Sequence, residues 1–199
     1  VTAVTEGIRT GSKILGENKI QDAKDKIEAL GHEGIEWHFI GHLQKNKVKF
    51  IFDLFDLIHS VDSLALAEAI HEKAEDLRLC MPILLQVNVS GEESKFGLDP
   101  KNVIKVIRKV TSLKGLKVRG LMTIPPYDPN PEKSRPYYVC LRELRDTCSK
   151  LAIPGLSLDE LSMGMSNDYE VAVEEGSTLV RVGTALFGER PSKSKDATG

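Results

Sequence analysis

The sequence predicts an α/β fold in which parallel strands form a (β/α)8 barrel of the TIM type. Short apolar runs alternate with amphipathic helical stretches over the 199 residues, a pattern typical of parallel strands joined by helices. The clearest run, 83–89, is almost continuously apolar, as in strands that are covered on both faces. Small or polar residues follow the ends of most runs, where a barrel of this kind builds its site.

The first half of the chain supplies three strands. In order, we expect a helix at 2–10, a strand at 13–16, a helix at 18–30, a strand at 36–40, a basic helix at 43–51 and a strand at 57–61. A further helix follows, which Asp62 or Ser63 can cap. Its expected buried stripe is Leu66, Ala69, Ile70 and Leu77.

The second half continues the alternation. We expect strands at 83–89, 116–123, 158–163 and 178–182, helices at 100–111, 131–151 and 166–176, and a final turn that begins at 183–187. The segment 94–97 is either a loop over the barrel mouth or an ordinary surface loop. Residues 1–190 are expected to form one domain, followed by a polar tail at 191–199.

The strand count is seven, whereas a closed barrel of this kind has eight. We therefore expect the first strand to lie before Val1 and to be absent from this sequence. An open doubly wound sheet is the competing architecture. It is disfavoured because neither a GxGxxG motif nor a Walker lysine follows the first strand.

Composition excludes several classes of protein. The formal net charge is −2, which argues against a protein that mainly coats nucleic acid or an anionic membrane. No apolar run approaches the ~18 residues of a membrane span, and the start lacks the pattern of a secretory signal. The three cysteines form no CxxC motif, so we expect neither a disulfide framework nor a metal site, and a cytoplasmic location.

The strongest site candidate lies near the carboxyl terminus. Loops after the last two barrel strands often bind phosphate through backbone N–H groups. Gly183 would let a phosphate approach the main chain, and the hydroxyl groups of Thr184 and Ser166 could donate to it. Arg181 lies two residues before Gly183, so both point to the same side of the strand. A capped turn with a surface arginine is the alternative. The segment with Ser166 and the segment with Arg181, Gly183 and Thr184 follow successive strands, and together they favour a phosphate ligand.

Other candidates are more ambiguous. Asn18 could cap the following helix, which is the commoner role, or face a ligand in the barrel mouth. His42 has the same two interpretations. Lys45, Lys47 and Lys49 form either a solvated helix face or a rim that attracts anions. The sequence shows no paired carboxylates, no nucleophile elbow and no cluster of metal ligands.

Seven motifs together resemble the pyridoxal phosphate homeostasis (YggS/PROSC-like) family over residues 4–190. They are GEN at 16–18, WHFIGHLQKNK at 37–47, QVN at 86–88, KFG at 95–97, GLMTI at 120–124, LSMGMSND at 161–168 and VRVGTALFG at 180–188. The family resembles the barrel domain of alanine racemase without its second, β-rich domain. The resemblance implies that the ligand is pyridoxal 5′-phosphate (PLP).

The resemblance also implies roles for individual residues. Ser166, Gly183 and Thr184 would hold the phosphate, and Asn18 would lie beside the ring. Arg181 would face the pyridine nitrogen and keep it unprotonated, which weakens the ring as an electron sink.

One feature departs from the family. In this family the Schiff-base lysine lies on the first strand, upstream of the position that matches Val1. No lysine in this sequence corresponds to it. Lys13 lies at the wrong end of its strand. We therefore expect no covalent lysine linkage in the chain as given. PLP would bind weakly and noncovalently, or only phosphate or sulfate would bind, unless a partner chain fills the gap.

Three functions remain open on the sequence. The first is a non-catalytic PLP carrier or buffer, a monomer or weak dimer that supplies apo-enzymes and binds neither nucleic acid nor membranes. The second is a PLP-dependent amino-acid racemase or decarboxylase, which would need a proton donor on each face of the substrate carbon. The third is a barrel enzyme that acts on a phosphorylated sugar or an aldol substrate.

Overall fold

The structure is a computed structural model, and it describes residues 2–188. Its strands are β1 (Ile14–Glu17), β2 (Glu36–Phe39), β3 (Leu57–Val61), β4 (Met81–Gln86), β5 (Leu116–Met122), β6 (Glu160–Met165) and β7 (Leu179–Arg181). Its α-helices are α1 (Thr2–Arg9), α2 (Ile20–Leu30), α3 (Leu64–Leu77), α4 (Val103–Val110), α5 (Arg135–Ser149), α6 (Tyr169–Glu174) and α7 (Thr184–Phe187). Short 3-10 helices occupy Lys45–Phe50, Pro100–Asn102 and Pro131–Ser134.

The seven strands form one parallel sheet in which every strand pairs with its successor in the chain. A helical crossover joins each pair, as parallel neighbours require. The sheet is strongly curved, because His59 of β3 lies 2.8 Å from Ser162 of β6 although two strands separate them. This contact crosses the interior of a barrel. The predicted barrel is confirmed, and within residues 2–188 β1 and β7 are its two edges.

Side chains pack on both faces of the sheet. Trp37 and Phe39 alternate with His38 along β2, so they face the helices while His38 faces the interior. The interior holds a separate apolar cluster, in which Leu57, Leu84 and Met122 are buried and Ile124 and Leu179 pack against them. Apolar side chains therefore fill part of the barrel, and the carboxyl ends of the strands remain available for polar groups.

The basic segment is a short helix as expected, and it takes the 3-10 form. One local expectation is wrong. Leu77, expected in the buried stripe of α3, is 42% exposed. The helix ends there, and the chain turns away through Arg78 in the left-handed conformation (φ 56°). The buried face of α3 instead includes Ala67 and Ala74.

Other expectations hold. Ser63 caps α3 by accepting the N–H of Leu66 at 3.2 Å. The expected tail at 191–199 lies outside the described residues, so the extent of the domain, 1–190, stays a prediction.

Gly120 tests the pairing of β5 with β6. A Cβ at this position would overlap the backbone carbonyl of Glu160 on the adjacent strand. Gly120→Ala should therefore lower the free energy of unfolding by about 3 kcal/mol, the upper range for overpacking, as measured by urea denaturation. Gly7→Ala in α1 is the control, because its Cβ would meet only ordinary contacts with Phe187 at 3.6 Å. Equal stability of the two variants would contradict the register between β5 and β6.

Candidate functional site

Backbone N–H groups converge on one oxygen atom at the carboxyl ends of β6 and β7. The hydroxyl oxygen of Ser166 accepts the N–H of Gly183 at 3.1 Å and that of Ala185 at 3.3 Å. Both groups belong to the start of α7, where helical N–H groups lack partners within the helix. We name Ser166, Gly183, Thr184 and Ala185 the C-terminal cradle. Its geometry suits an anion, since a phosphate oxygen could accept the same two N–H groups.

Space for a ligand exists above Gly183. A Cβ built on this residue meets no atom within 4 Å. Its φ of −117° is open to any residue, so the backbone itself does not require glycine. Thr184 is the first residue of α7 and is exposed. The structure thus brings three of the predicted site residues together around an open approach to the main chain.

Asp168 fixes the loop that carries Ser166. Its buried carboxylate accepts the N–H of Met165 at 2.8 Å and the hydroxyl of Ser134 at 2.7 Å. Two arginines of α5, Arg135 and Arg142, bind Glu175 just after α6. The cradle therefore rests on a segment that is tied to the neighbouring helix.

Arg181 extends into the barrel beneath the cradle. It donates from Nη1 to Ser162 Oγ at 2.5 Å and from Nη2 to the carbonyl of Thr123 at 2.8 Å. Burial lowers the pKa of Arg181 to about 10, although Tyr138 and Asp168 oppose this shift. The guanidinium remains a cation at pH 7, and neutral oxygen atoms accept both of these hydrogen bonds.

A hydrogen-bonded chain continues from Ser162 across the interior. Ser162 Oγ lies 2.8 Å from His59 Nδ1, His59 Nε2 lies 2.9 Å from His38 Nδ1, and His38 Nε2 lies 3.0 Å from Glu36 Oε1. We name Arg181, Ser162, His59, His38 and Glu36 the interior relay. Burial lowers the pKa of His59 well below its usual value, and electrostatic interactions with His38 and Arg181 lower it further. His59 is therefore neutral at pH 7.

The barrel mouth is bordered by a stacked pair of rings. His42, which follows β2, lies over Phe96 with ring centroids 3.7 Å apart and an angle of 15°. The side chain of Gln86 donates to the carbonyl of Phe96 at 3.1 Å, and that of Asn88 donates to Lys95 at 3.3 Å. The loop after β4 thus reaches the end of β2. Of the two interpretations of 94–97, a loop over the mouth is the one that fits.

Asn18 and His42 each had two interpretations from the sequence, and the structure bears on both residues. Asn18 does not cap α2, whose cap position is Lys19. The side chain of Asn18 is exposed and makes no hydrogen bond within residues 2–188, so its place beside a ring stays a prediction. His42 lies 3.3 Å from Asp62 and stacks on Phe96, so it contributes to the rim.

Sequence reasoning missed most of the interior relay. The motifs of the sequence assigned no role to His38, Ser162 or Glu36. A usable signal existed, since His38 and His59 interrupt strands that are mostly apolar. Which partner each would find depends on how far the sheet curls, and the sequence does not state that.

The family profile of the alanine racemase N-terminal domain matches residues 2–191. The chain belongs to this family. A pyridoxal phosphate homeostasis protein of Aquifex aeolicus is 48% identical over 187 residues, which are 94% of this chain and 81% of that protein. A protein of the same name from Escherichia coli K12 is 38% identical, over 98% of this chain and 83% of that protein. The resemblance inferred from the motifs is confirmed.

Solved structures agree with this family membership. PipY of Synechococcus elongatus without PLP has a TM-score of 0.88 and 37% identity, over 94% of this chain and 87% of that chain. PipY with PLP bound has a TM-score of 0.84 and 35% identity, with the same coverage. Alanine racemase of Clostridium difficile has a TM-score of 0.74 and 14% identity, over 93% of this chain and 47% of that chain. That last likeness shows the fold alone.

Two further features bear on the site. Within residues 2–188, no group of three or more His, Cys, Asp or Glu side chains is arranged to hold a metal ion. In the same residues, no helix has the length and apolar character that a bilayer span requires.

The neutral state of His59 predicts a pH dependence of stability for this family member. The unfolded chain protonates His59 below pH ~6.5, whereas the folded chain resists protonation until a lower pH. The unfolded state thus binds more protons in that window, so stability falls with acidification by up to about 1.4 kcal/mol per pH unit. Urea denaturation between pH 7 and pH 5 should show a smaller loss for His59→Gln than for the parent. Equal slopes would mean that His59 is not held neutral.

Proposed function

We propose that this chain binds PLP and serves in PLP homeostasis, holding the cofactor and releasing it to apo-enzymes without catalysing a reaction of its own. The observation that carries the proposal is the C-terminal cradle, in which two backbone N–H groups converge on one oxygen atom beside an open space. The names of the relatives and the PLP-bound structure of PipY support the choice of ligand.

The cradle would bind the phosphate of PLP. Gly183 and Ala185 would donate their N–H groups, and the hydroxyl of Ser166, which now accepts them, would rotate to donate to the phosphate. Thr184 would add a second hydroxyl from its exposed position. These residues fit a phosphate because all four groups are donors and the partial positive charge of the α7 amino end favours an anion.

Arg181 would face the pyridine nitrogen. PLP supplies an aldehyde and a pyridine ring that can act as an electron sink. Arginine has donors and no acceptor, and with a pKa of about 10 it keeps its protons at pH 7. It can donate to the ring nitrogen but does not protonate it. A poor electron sink suits a carrier better than a racemase or decarboxylase.

The expectations on the lysine linkage, the recipients of PLP, the oligomeric state and Asn18 are also part of this proposal. Lys117 is the one lysine in strands β1–β7, and it is exposed on β5, so we propose binding without a lysine linkage to the described residues. The recipients would be PLP-dependent apo-enzymes in the cytoplasm. The chain would act as a monomer or weak dimer. Asn18 would lie beside the ring, at the end of β1.

Filling the space above Gly183 tests the cradle. Gly183→Val should weaken PLP binding by about tenfold or more, because the valine side chain would occupy the volume that the phosphate needs. Its melting temperature should stay near that of the parent, since a Cβ at this position meets no atom within 4 Å. PLP binding is measured by titration of ligand absorbance and protein fluorescence. Unchanged affinity for PLP would place the phosphate elsewhere.

Thr184 offers a matched pair of variants. Thr184→Val should weaken PLP binding, whereas Thr111→Val should not, because the Thr111 hydroxyl donates to the Ile107 carbonyl on α4. Pyridoxal without phosphate is the ligand control, and its binding should be insensitive to both changes. Equal effects of the two variants on PLP affinity would contradict the assigned role of Thr184.

The alternative enzymatic function has a direct assay. PLP-loaded chain should neither racemise nor decarboxylate amino acids at a steady rate, as followed by circular dichroism and by carbon dioxide release. It should restore activity to an apo form of a PLP-dependent enzyme. Sustained turnover, or failure to transfer PLP, would overturn the carrier function and favour a racemase or decarboxylase.

A further inference from the structure

The interior relay allows only one consistent direction of hydrogen bonding. Arg181 can only donate, so Ser162 Oγ must accept from it. The Ser162 hydroxyl then has its own proton to donate, and His59 Nδ1 lies within reach at 2.8 Å. A neutral His59 that accepts at Nδ1 carries its proton on Nε2 and donates it to His38 Nδ1.

The Glu36 end of the relay decides this direction, because the Ser162 hydroxyl has two lone pairs and could also accept from both of its neighbours. His38, which accepts at Nδ1, carries its proton on Nε2 and donates it to the Glu36 carboxylate at 3.0 Å. In the reverse direction, neutral His38 would face this carboxylate with an unprotonated Nε2, so two lone pairs would oppose each other. Only an additional proton on His38 or Glu36 would relieve that contact. Both imidazoles therefore carry the Nε2 proton.

We propose that His59 is a positioning residue for Arg181, which it holds through Ser162 in the orientation that faces the pyridine ring, while His38 and Glu36 fix the tautomer of His59. The proposal rests on the proposed function for the identity of the ring. It adds a residue on β3, on the opposite wall of the barrel from β7. His59 itself need not touch the ligand.

The outer end of the relay is open to solvent. Glu36 lines a surface cavity of about 330 Å³ together with Lys13, His32 and Asp56 at the amino ends of the strands, and 53% of its side chain is exposed. The inner end lies near Tyr138 and Asp168, which act electrostatically on Arg181.

Nitrogen NMR tests the direction without any ligand. In protein labelled with ¹⁵N in its histidines, His38 and His59 should both show the Nε2-protonated neutral form at pH 7.5. Ser162→Ala removes the donor to His59 Nδ1, and it should change the shift of that nitrogen. An Nδ1-protonated His59, or a charged one, would overturn the proposal whether or not the chain binds PLP.

PLP titrations test the positioning role. His59→Leu should weaken PLP binding by about tenfold and change the absorbance band of bound PLP. His59→Gln should restore most of the affinity, because its amide oxygen accepts from Ser162 and its amide nitrogen donates to His38. His59→Gln should also bind PLP with a smaller change in affinity between pH 7.5 and pH 5.5 than the parent.

His71 supplies the matched control. It lies on α3, not on a strand of the relay, and its Nδ1 accepts the N–H of Gly115. His71→Leu should lower thermal stability while leaving PLP affinity and the absorbance band as in the parent. If His59→Leu behaves like His71→Leu, His59 is merely structural and the positioning proposal fails. If the parent itself does not bind PLP, the proposed function fails, while the NMR result still decides the direction of the relay.

Discussion

A partly buried arginine, Arg181, which has no ion pair with a carboxylate among residues 2–188, is the constraint around which the site is arranged. The two hydrogen bonds of the Arg181 guanidinium end on a serine hydroxyl and a backbone carbonyl. Burying a cation costs free energy unless hydrogen bonds satisfy it. Both acceptors come from other strands, β6 and the end of β5, so the arginine can be satisfied only if the sheet has curled. The fold and the state of this side chain therefore depend on each other.

The arrangement leaves uncompensated positive charge in the barrel. Asp168 and Tyr138 act on the guanidinium from a distance, while Asp168 already accepts hydrogen bonds from Met165 and Ser134. A direct salt bridge would cancel the field of the arginine, whereas neutral acceptors preserve it. The nearby cradle adds the partial positive charges of backbone N–H groups that have no partner within the helix and donate to Ser166 instead. A site of this kind favours an anionic ligand with a ring acceptor, and the phosphate and pyridine nitrogen of PLP have that character.

The sequence predicted the parts of the molecule that depend on local patterns. Apolar runs and helical periodicity located every strand to within a few residues, and the motifs around Ser166 and Gly183 identified two loops that do meet. It failed where a partner lies far away along the chain. Ser162 and His59 are separated by 103 positions, and their contact depends on the curvature of the whole sheet. The prediction that Leu77 is buried was wrong for a related reason. The point at which a helix ends relative to the sheet depends on tertiary packing.

The relay shows how a neutral histidine can position a cation better than a charged carboxylate in the same place could. A carboxylate at His59 would attract Arg181 strongly, but it would also pull the guanidinium toward β3 and away from the cradle. The imidazole instead accepts from Ser162, so the lone pairs of the hydroxyl turn toward the arginine without any net charge nearby. The negative charge stands at the far end, on Glu36, where water screens it. Polarisation through successive hydrogen bonds then strengthens the hold on Arg181, and the barrel interior keeps the positive potential that an anionic ligand requires.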